Sequence, residues 1–179
     1  MRRPLLVTVL VGLVVVGAAT ARAIRSNVNI GPLRARSAAL AIEWRGKYPG
    51  RMVLPAQLNW CPVTRVGVLE AVSGDSGVAI VLFEHEALTA ATHPVFSHEF
   101  AATAPRPAAT AAVRWMRLAK DTALAGFRSL SGAVKVQLAP GKISGDINAR
   151  MQSVAGFDTL VVRGIFRDVP VVTTSIGCS

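Results

Sequence analysis

Residues 142–151 read KISGDINARM, and apolar or small side chains alternate there with polar ones. In an extended chain, one face would carry Ile143, Gly145, Ile147, Ala149 and Met151, and the other would carry Ser144, Asp146, Asn148 and Arg150. Successive side chains of a β-strand point to opposite faces, so this period of two predicts a strand that buries one face. The stretch decides the fold class, because the same pattern recurs along most of the chain after about residue 39.

The segments on either side extend the same sheet. The preceding stretch, SGAVKVQLAPGK, alternates in the same way and then reaches Pro140-Gly141, a pair suited to the centre of a type II turn. Downstream, DTLVVRGIF predicts another strand, and VPVVTTSI predicts a further one with Pro170 at its start or at a sheet edge. The C-terminal third of the chain is therefore predicted to be consecutive strands.

Further strands are predicted upstream. The candidates are TRVGVLEAV, GVAIVLFEH, AAVRWMRLA, the weaker MVLPAQLNW and the stretch SAALAIEWRGKY, whose periodicity also fits a helix. About eight short strands at fairly even spacing, without long helical patterns between them, predict a mainly β domain. Its architecture is expected to be an antiparallel β-sandwich or a partly open barrel, preceded by one N-terminal transmembrane or signal helix.

The tetrapeptide GDSG, residues 74–77, joins two of these predicted strands and also carries the nucleophilic serine in trypsin-like proteases. In those proteases the catalytic histidine and aspartate precede the serine, whereas all three histidines of this chain follow Ser76. Apolar residues alternate on both sides of the motif, and Gly, Asp and Ser are favoured turn residues. The motif therefore predicts a hairpin turn.

The N-terminal segment, residues 1–23, has the three parts of an export signal. Two arginines precede an uncharged stretch from Pro4 to Ala21, and a small-x-small ending places a cleavage site after Ala23. At about 18 residues the uncharged stretch also approaches the length that spans a bilayer, so an uncleaved signal anchor is the alternative. Small residues four positions apart would let another membrane helix approach closely: Thr8, Gly12, Gly17 and Ala21.

Residues 24–37 are polar and basic, and they are predicted to link the N-terminal segment to a β-domain at residues 38–179. Four arginines after the apolar stretch are expected to contact anionic lipid head groups or an acidic partner: Arg22, Arg25, Arg34 and Arg36. Basic residues at this position favour a cytoplasmic domain by the positive-inside rule, in conflict with the export ending. The export ending is preferred, which predicts a single-pass protein of the bacterial inner membrane with its β-domain in the periplasm.

The whole chain is basic, with a formal net charge of +10. This charge favours anionic partners. Nucleic acid is not an expected partner, because the basic residues are spread along the chain without a stripe of interleaved aromatics and the N-terminal segment predicts export.

The chain has two cysteines, Cys61 and Cys178, and neither belongs to a zinc-type motif. In an exported protein the expectation is one disulfide that ties the penultimate residue to the first third of the chain. Two unrelated buried thiols are the alternative.

All three histidines, His85, His93 and His98, lie in one stretch, FEHEALTAATHPVFSHEF. The same stretch contains three glutamates. Imidazole and carboxylate groups suit zinc, copper or iron, so this stretch is the one candidate metal site. It lacks the HExxH motif, and the preferred interpretation is a solvated loop and strand end. No cofactor and no catalytic residue are therefore predicted.

The larger aromatics leave two interpretations open, an interaction face or core anchors: Trp44, Trp60, Trp115 and Tyr48.

Two resemblances add to this interpretation. The segments SGAVKV, GKISGDINARM and DTLVVRGIFRDVPV resemble small exported bacterial β-sandwich domains of uncharacterised function, which supply no catalytic residues. The layout of an apolar N-terminal helix, a basic linker and a compact β-domain is similar to accessory subunits of bacterial membrane assemblies such as photosynthetic reaction-centre and light-harvesting complexes. That resemblance implies a structural role in such a complex, without pigment binding.

The expected function is that of a non-catalytic, membrane-anchored accessory subunit whose periplasmic β-domain stabilises or bridges an integral membrane protein complex. One alternative is a cleaved, soluble periplasmic module that binds an apolar ligand inside a small barrel. A second alternative is a metal-binding protein that uses the histidine stretch.

Overall fold

Nine strands make up most of the described part of the chain. The computed structural model describes residues 33–118, 122–174 and 178, which belong to one compact unit. The strands are β1 (Ala39–Arg45), β2 (Gly50–Cys61), β3 (Val66–Ser73), β4 (Ser76–Phe83), β5 (Thr92–Phe96), β6 (Ala108–Leu118), β7 (Thr122–Ala139), β8 (Lys142–Ser153) and β9 (Thr159–Thr173). One short helix, α1 (His98–Ala101), lies between β5 and β6. The prediction of a mainly β fold is confirmed.

The sheet closes on itself. Its strands follow the order β1-β2-β3-β4-β6-β5-β7-β8-β9, and β9 pairs with β1. The pairs are antiparallel except where β5 meets β6 and where β9 meets β2. The structure is thus a closed barrel, where the sequence left a sandwich and a partly open barrel as alternatives. Closure depends on pairing between the first and last strands, which no local pattern reports.

Strand β7 is longer than predicted because it changes partners part-way along. It pairs with β6 up to Arg128 and with β5 from Ser131, across a bulge between them. Gly132 follows the bulge with a φ of 144°, and a Cβ there would lie 2.2 Å from the carbonyl oxygen of Asn148. Only glycine fits this position, where β7 passes from one neighbour to the next.

Strand β9 changes partners in the same way. It pairs with β1 up to Arg167 and with β2 from Val171, and Asp168 between them has a φ of 48°. The two strands predicted from DTLVVRGIF and VPVVTTSI are therefore one strand, and Pro170 lies within it.

The structure also corrects the prediction for the histidine stretch. That stretch was predicted as a loop and strand end, and it contains the strand β5.

The core fills the inside of the barrel. The buried face of β8 carries Ile143, Ile147, Ala149 and Met151, as its alternation predicts. The three tryptophans are also buried, whereas Tyr48 is 43% exposed. The Trp115 ring stacks on Trp44 at 4.4 Å between centroids and on Phe127 at 5.2 Å. The core-anchor interpretation therefore holds for the tryptophans.

The register defines two ends of the barrel. The hairpin end has the β1–β2, β3–β4 and β8–β9 turns, at residues 46–49, 74–75 and 154–158. The disulfide end has the β2–β3 turn at residues 62–65 and the β7–β8 turn at residues 140–141. At the latter turn Gly141 has a φ of 66°, which agrees with the predicted Pro-Gly hairpin.

Candidate functional site

Glu84 and His93 form a buried polar pair toward the disulfide end. Glu84 follows β4, His93 lies within β5, and both side chains are almost fully buried. Nε2 of His93 lies 2.7 Å from Oε1 of Glu84. The backbone N–H of Thr89 donates to the same carboxylate oxygen at 3.0 Å, and the Thr89 hydroxyl donates to the other at 2.9 Å. The carboxylate thus has a partner on each oxygen, as a buried charge requires.

Opposing effects act on the pKa of the Glu84 carboxyl. Burial raises that pKa, because water no longer solvates the charged form. The hydrogen bond with His93, the two from Thr89 and the charge of the imidazole lower it, and together they outweigh burial. The pKa of Glu84 therefore lies below its ordinary value, and the side chain is ionised at neutral pH.

The neighbouring polar groups tie the β4–β5 loop to the chain before β6. Nη1 of Arg106 donates to the backbone carbonyl of Glu84 at 2.6 Å. The ring of exposed His85 lies 2.5 Å from the carbonyl oxygen of Arg106. These contacts hold the loop in place over the buried pair.

The three candidate metal ligands do not converge. His93 is buried against Glu84, whereas His85 and His98 are exposed, on the loop and on α1 respectively. Within residues 33–118, 122–174 and 178, no three His, Cys, Asp or Glu side chains are close enough together to hold a metal ion. Within the described residues, Nδ1 of His93 and the hydroxyl oxygen of Ser97 are buried without a hydrogen-bond partner.

The hairpin and disulfide predictions are both confirmed. Ser73 pairs with Ser76, so the GDSG motif forms the β3–β4 turn, with Gly74 at a φ of 56°. Cys61 and Cys178 are joined by a disulfide with a Cα–Cα distance of 5.7 Å. This bond ties Cys178, the penultimate residue of the chain, to the end of β2.

A groove runs across the outer face of the barrel near the hairpin end. It encloses about 540 Å³ and lies over β3, β4, β6 and β7, beside the β8–β9 turn. Register places its outward residues in two rows across the sheet. The first row is Glu70, Ala79, Ala112 and Arg128, and the second is Val72, Gly77, Arg114 and Gly126. Three of the four middle positions of these rows carry glycine or alanine, and the fourth carries Arg114.

Apolar side chains and arginines border the groove. Val72, Leu124 and Val154 line it and are 49%, 57% and 58% exposed. Among the described residues, no carboxylate lies within 4.0 Å of the guanidinium nitrogens of Arg114 or Arg128. The groove therefore combines uncovered apolar surface with two arginines that have no ion-pair partner in that part of the chain.

The sequence analysis did not identify the groove. Some of its residues are outward positions of β3, β4 and β6, which had been predicted from their inward faces. Others lie in the first half of β7, for which no strand had been predicted, and in the β8–β9 turn. The available signal was the unusual smallness of these positions, since outward strand residues are ordinarily larger and polar. Only the pairing of four strands shows that the small residues are adjacent.

The other predicted site residues fall partly outside the described chain. Arg34 and Arg36 are described and exposed. The predicted anchor at residues 1–23 lies outside the described residues, and so do Thr8, Gly12, Gly17, Ala21, Arg22 and Arg25. In the part of the chain that the structure describes, none of the helical segments has the length and apolar character of a membrane span.

No protein-family model matches the chain, and no curated protein or solved structure matches it with significance.

Proposed function

We propose that the chain is a non-catalytic accessory subunit, held at the bacterial inner membrane by residues 1–23, whose exported barrel binds an integral membrane protein complex through the disulfide end. The observation that carries this proposal is uncovered apolar surface next to arginines at that end. Val63 and Leu138 are 76% and 44% exposed there. Exposed apolar side chains near arginine suit a protein interaction site, where arginine is enriched.

Basic residues accompany this apolar surface. Arg65 is exposed in the same turn as Val63, and Lys142 is exposed beside the β7–β8 turn. The exposed Arg34 and Arg36 precede Ala38, whose backbone pairs with Ala56 and Arg167 in the half of β2 that leads to Cys61. This charge suits an acidic protein surface, with anionic lipid head groups as a further contact.

The disulfide supports an exported barrel. Disulfides persist in oxidising compartments such as the periplasm and are rare in the reducing cytosol. A bond between residues 117 positions apart also holds the proposed docking end in one arrangement. A preordered surface loses less conformational entropy when it binds a partner.

The polar residues that were candidates for catalysis or metal binding have places in the fold, which supports a non-catalytic role. The Glu84 carboxylate accepts hydrogen bonds from Thr89 and contacts buried His93, so it is closed to a substrate. Ser76 begins β4 at a hairpin turn. A photosynthetic complex remains the partner that the layout of the chain implies, and no residue described above selects it over other membrane complexes.

The test is purification of the chain from native membranes in mild detergent, with intact-mass analysis of the chain and its partners. We expect a chain that begins at or near Met1 and co-purifies with large integral membrane proteins. Val63→Asp combined with Arg65→Glu is expected to lower the recovery of those partners about tenfold. The matched control is Val72→Asp combined with Arg128→Glu at the hairpin end, which is expected to keep them. A chain that begins at Ile24 in the soluble fraction would overturn the proposal.

The soluble binding module is the second candidate, because the outer groove has a volume within the ~300–1,000 Å³ typical of small-molecule sites. The core residues occupy the inside of the barrel, so a ligand would bind outside it. The same mass measurement separates the two candidates, since a soluble module requires the cleaved chain.

A further inference from the structure

We propose that the outer groove is a binding site for an anionic amphiphile, a molecule with one carboxylate or phosphate head group and an acyl chain. The head group binds at Arg114 and Arg128, and the acyl chain lies over the small residues of the floor. This site is separate from the proposed docking surface, since it lies near the opposite end of the barrel. The inference therefore stands whether or not the barrel is a subunit of a membrane complex.

The positions of the two arginines suit a single anionic head group. Arg114 lies directly opposite Gly126, and Arg128 lies directly opposite Ala112. The two arginines are therefore diagonal neighbours on adjacent strands, at a separation of about 7–8 Å that long side chains bridge. Glycine lies on both sides of Arg114, at Gly77 and Gly126, and Nε of Arg114 lies 3.5 Å from where a Cβ of Gly77 would be. Guanidinium groups bind carboxylate and phosphate oxygens in pairs.

The floor is open although the backbone does not require glycine there. A Cβ at Gly126 would lie 3.7 Å from a side-chain carbon of Val154, and one at Gly77 would lie 3.4 Å from Val72 and 3.5 Å from Nε of Arg114. These are ordinary van der Waals distances, and neither residue has a left-handed φ. Glycine inside a strand also weakens that strand by about 0.5–1 kcal/mol. Gly77 leaves room for the side chain of Arg114, whereas no close contact with the described chain accounts for the small size of Gly126. A ligand over the floor explains the glycine at position 126.

The floor favours an acyl chain over a peptide. Strands β3, β4 and β6 are each hydrogen-bonded to a neighbour on both sides. Peptides that bind to sheets add a strand at an exposed edge, where unpaired backbone groups accept them. The middle of this floor offers no such groups, so a peptide backbone would lose its hydrogen bonds to water there. An acyl chain has no hydrogen bonds to lose.

The remaining charge orients the ligand. Glu70 lies in the same row as Arg128, with Ala79 and Ala112 between them. Its carboxylate repels an anionic head group, which therefore stays at the arginine side. Leu124 and Val154 then cover the acyl chain from the β7 side, and Val72 covers it from the β3 side.

The experiment measures binding of octanoate, decanoate, 1-octanol and inorganic phosphate to the full chain. The chain is held in nanodiscs of neutral phosphatidylcholine, and titration calorimetry of empty nanodiscs supplies the reference for partitioning into lipid. We expect saturable binding of decanoate at one site. Octanoate is expected to bind about tenfold more weakly, because two methylenes fewer are buried. The alcohol is expected to bind about tenfold more weakly than octanoate, and phosphate alone more weakly still.

Two variants test the site itself. Gly126→Val fills the floor and is expected to weaken decanoate binding at least about tenfold while the melting temperature stays equal or rises. Opposite effects on binding and stability cannot come from misfolding. Arg114→Gln combined with Arg128→Gln is expected to weaken decanoate binding about tenfold and to remove the preference for octanoate over 1-octanol. The matched control, Arg150→Gln combined with Arg163→Gln, removes two exposed arginines of β8 and β9 and is expected to bind as the wild type does.

Three results would overturn the inference. The first is the absence of saturable decanoate binding above the empty nanodiscs. The second is wild-type affinity in the Gly126→Val protein. The third is a hexapeptide of alternating Glu and Leu that displaces decanoate and binds more tightly, which would assign the groove to a protein segment. In each case the co-purification of membrane partners is a separate measurement, so the proposed function is judged independently.

Discussion

The two ends of the barrel differ in how they use polar residues. Toward the disulfide end, Glu84 and His93 are buried and hydrogen-bonded to each other, and a covalent bond holds the chain nearby. Near the hairpin end, Arg114 and Arg128 lie on an open groove without a carboxylate partner among the described residues. The histidine stretch, which was the one candidate metal site in the sequence, thus contains a buried hydrogen-bonded pair. Outward positions of ordinary strands form the candidate binding site.

The comparison predicts that changes to the disulfide and to the Glu84–His93 pair mainly alter stability. The largest effect is expected from Cys61→Ser combined with Cys178→Ser. Cross-linking residues 117 positions apart limits the unfolded chain, and a loop of that length is worth about 4–5 kcal/mol in the chain-entropy model. Urea denaturation of the full chain under oxidising conditions measures this loss. Reduction of the wild type should reproduce it, and a difference below about 1 kcal/mol would contradict the assignment.

His93→Ala is the next largest change, because it leaves the Glu84 carboxylate buried without its imidazole partner. Breaking a buried pair in this way is expected to lower the free energy of unfolding by about 3–5 kcal/mol. The control is His98→Ala, which changes an exposed residue of α1 and has an expected effect within about 0.5 kcal/mol. Equal losses in the two proteins would mean that the pair does not stabilise the barrel.

The pH dependence of stability tests the charge state of the same pair. The pKa of Glu84 is lowered in the folded state from an ordinary value of 4.5, so its ionised form stabilises the fold above pH 4.5. That contribution is lost as the pH falls below 4.5 and through the folded-state pKa. Glu84→Gln lacks the titrating group, so its free energy of unfolding should fall less steeply with acid than that of the wild type. Parallel pH curves for the two proteins would refute this account.

A smaller effect is expected at the β3–β4 turn of the hairpin end. Gly74→Ala places a side chain at a φ of 56°, which is expected to cost about 1 kcal/mol. Ser76→Ala should change stability by less than about 0.5 kcal/mol, because this serine is a turn-flanking strand residue. Thermal unfolding of both variants distinguishes the glycine from the serine. A larger loss in Ser76→Ala would give that hydroxyl a role that the hairpin does not explain.

The smallest effect has the opposite sign and sharpens the contrast between the ends. Gly126→Val in the groove floor is expected to raise the free energy of unfolding by up to about 0.5–1 kcal/mol, because the backbone accepts a Cβ there and valine favours a strand. Urea denaturation measures the change. A loss of stability above about 1 kcal/mol would show that the small floor residues are needed for packing instead of binding.

The strands were predictable where one face is buried along the whole strand. In β8 the alternation and the buried residues agree, because β8 keeps β7 and β9 as its neighbours along its length and the same face contributes to the core. In β7 and β9 the predictions were incomplete, since each strand exchanges one neighbour for another at a bulge or a positive φ. The local pattern breaks at that point although the strand continues. Strand β5 was missed because five residues with one proline carry too short a pattern.

Local sequence determined the mainly β class, the Gly-Asp turn between β3 and β4 and the Pro-Gly turn between β7 and β8. These features depend on the period of neighbouring side chains and on the conformations that single residues accept. The Cys61–Cys178 bond was predictable because the chain has only two cysteines. The tertiary structure alone decided the closure of the barrel, the burial of His93 against Glu84 and the groove. Each of these features depends on which distant strands become neighbours. The hydrogen-bond pairing between strands determines those neighbours, whereas the residue pattern within a single strand does not.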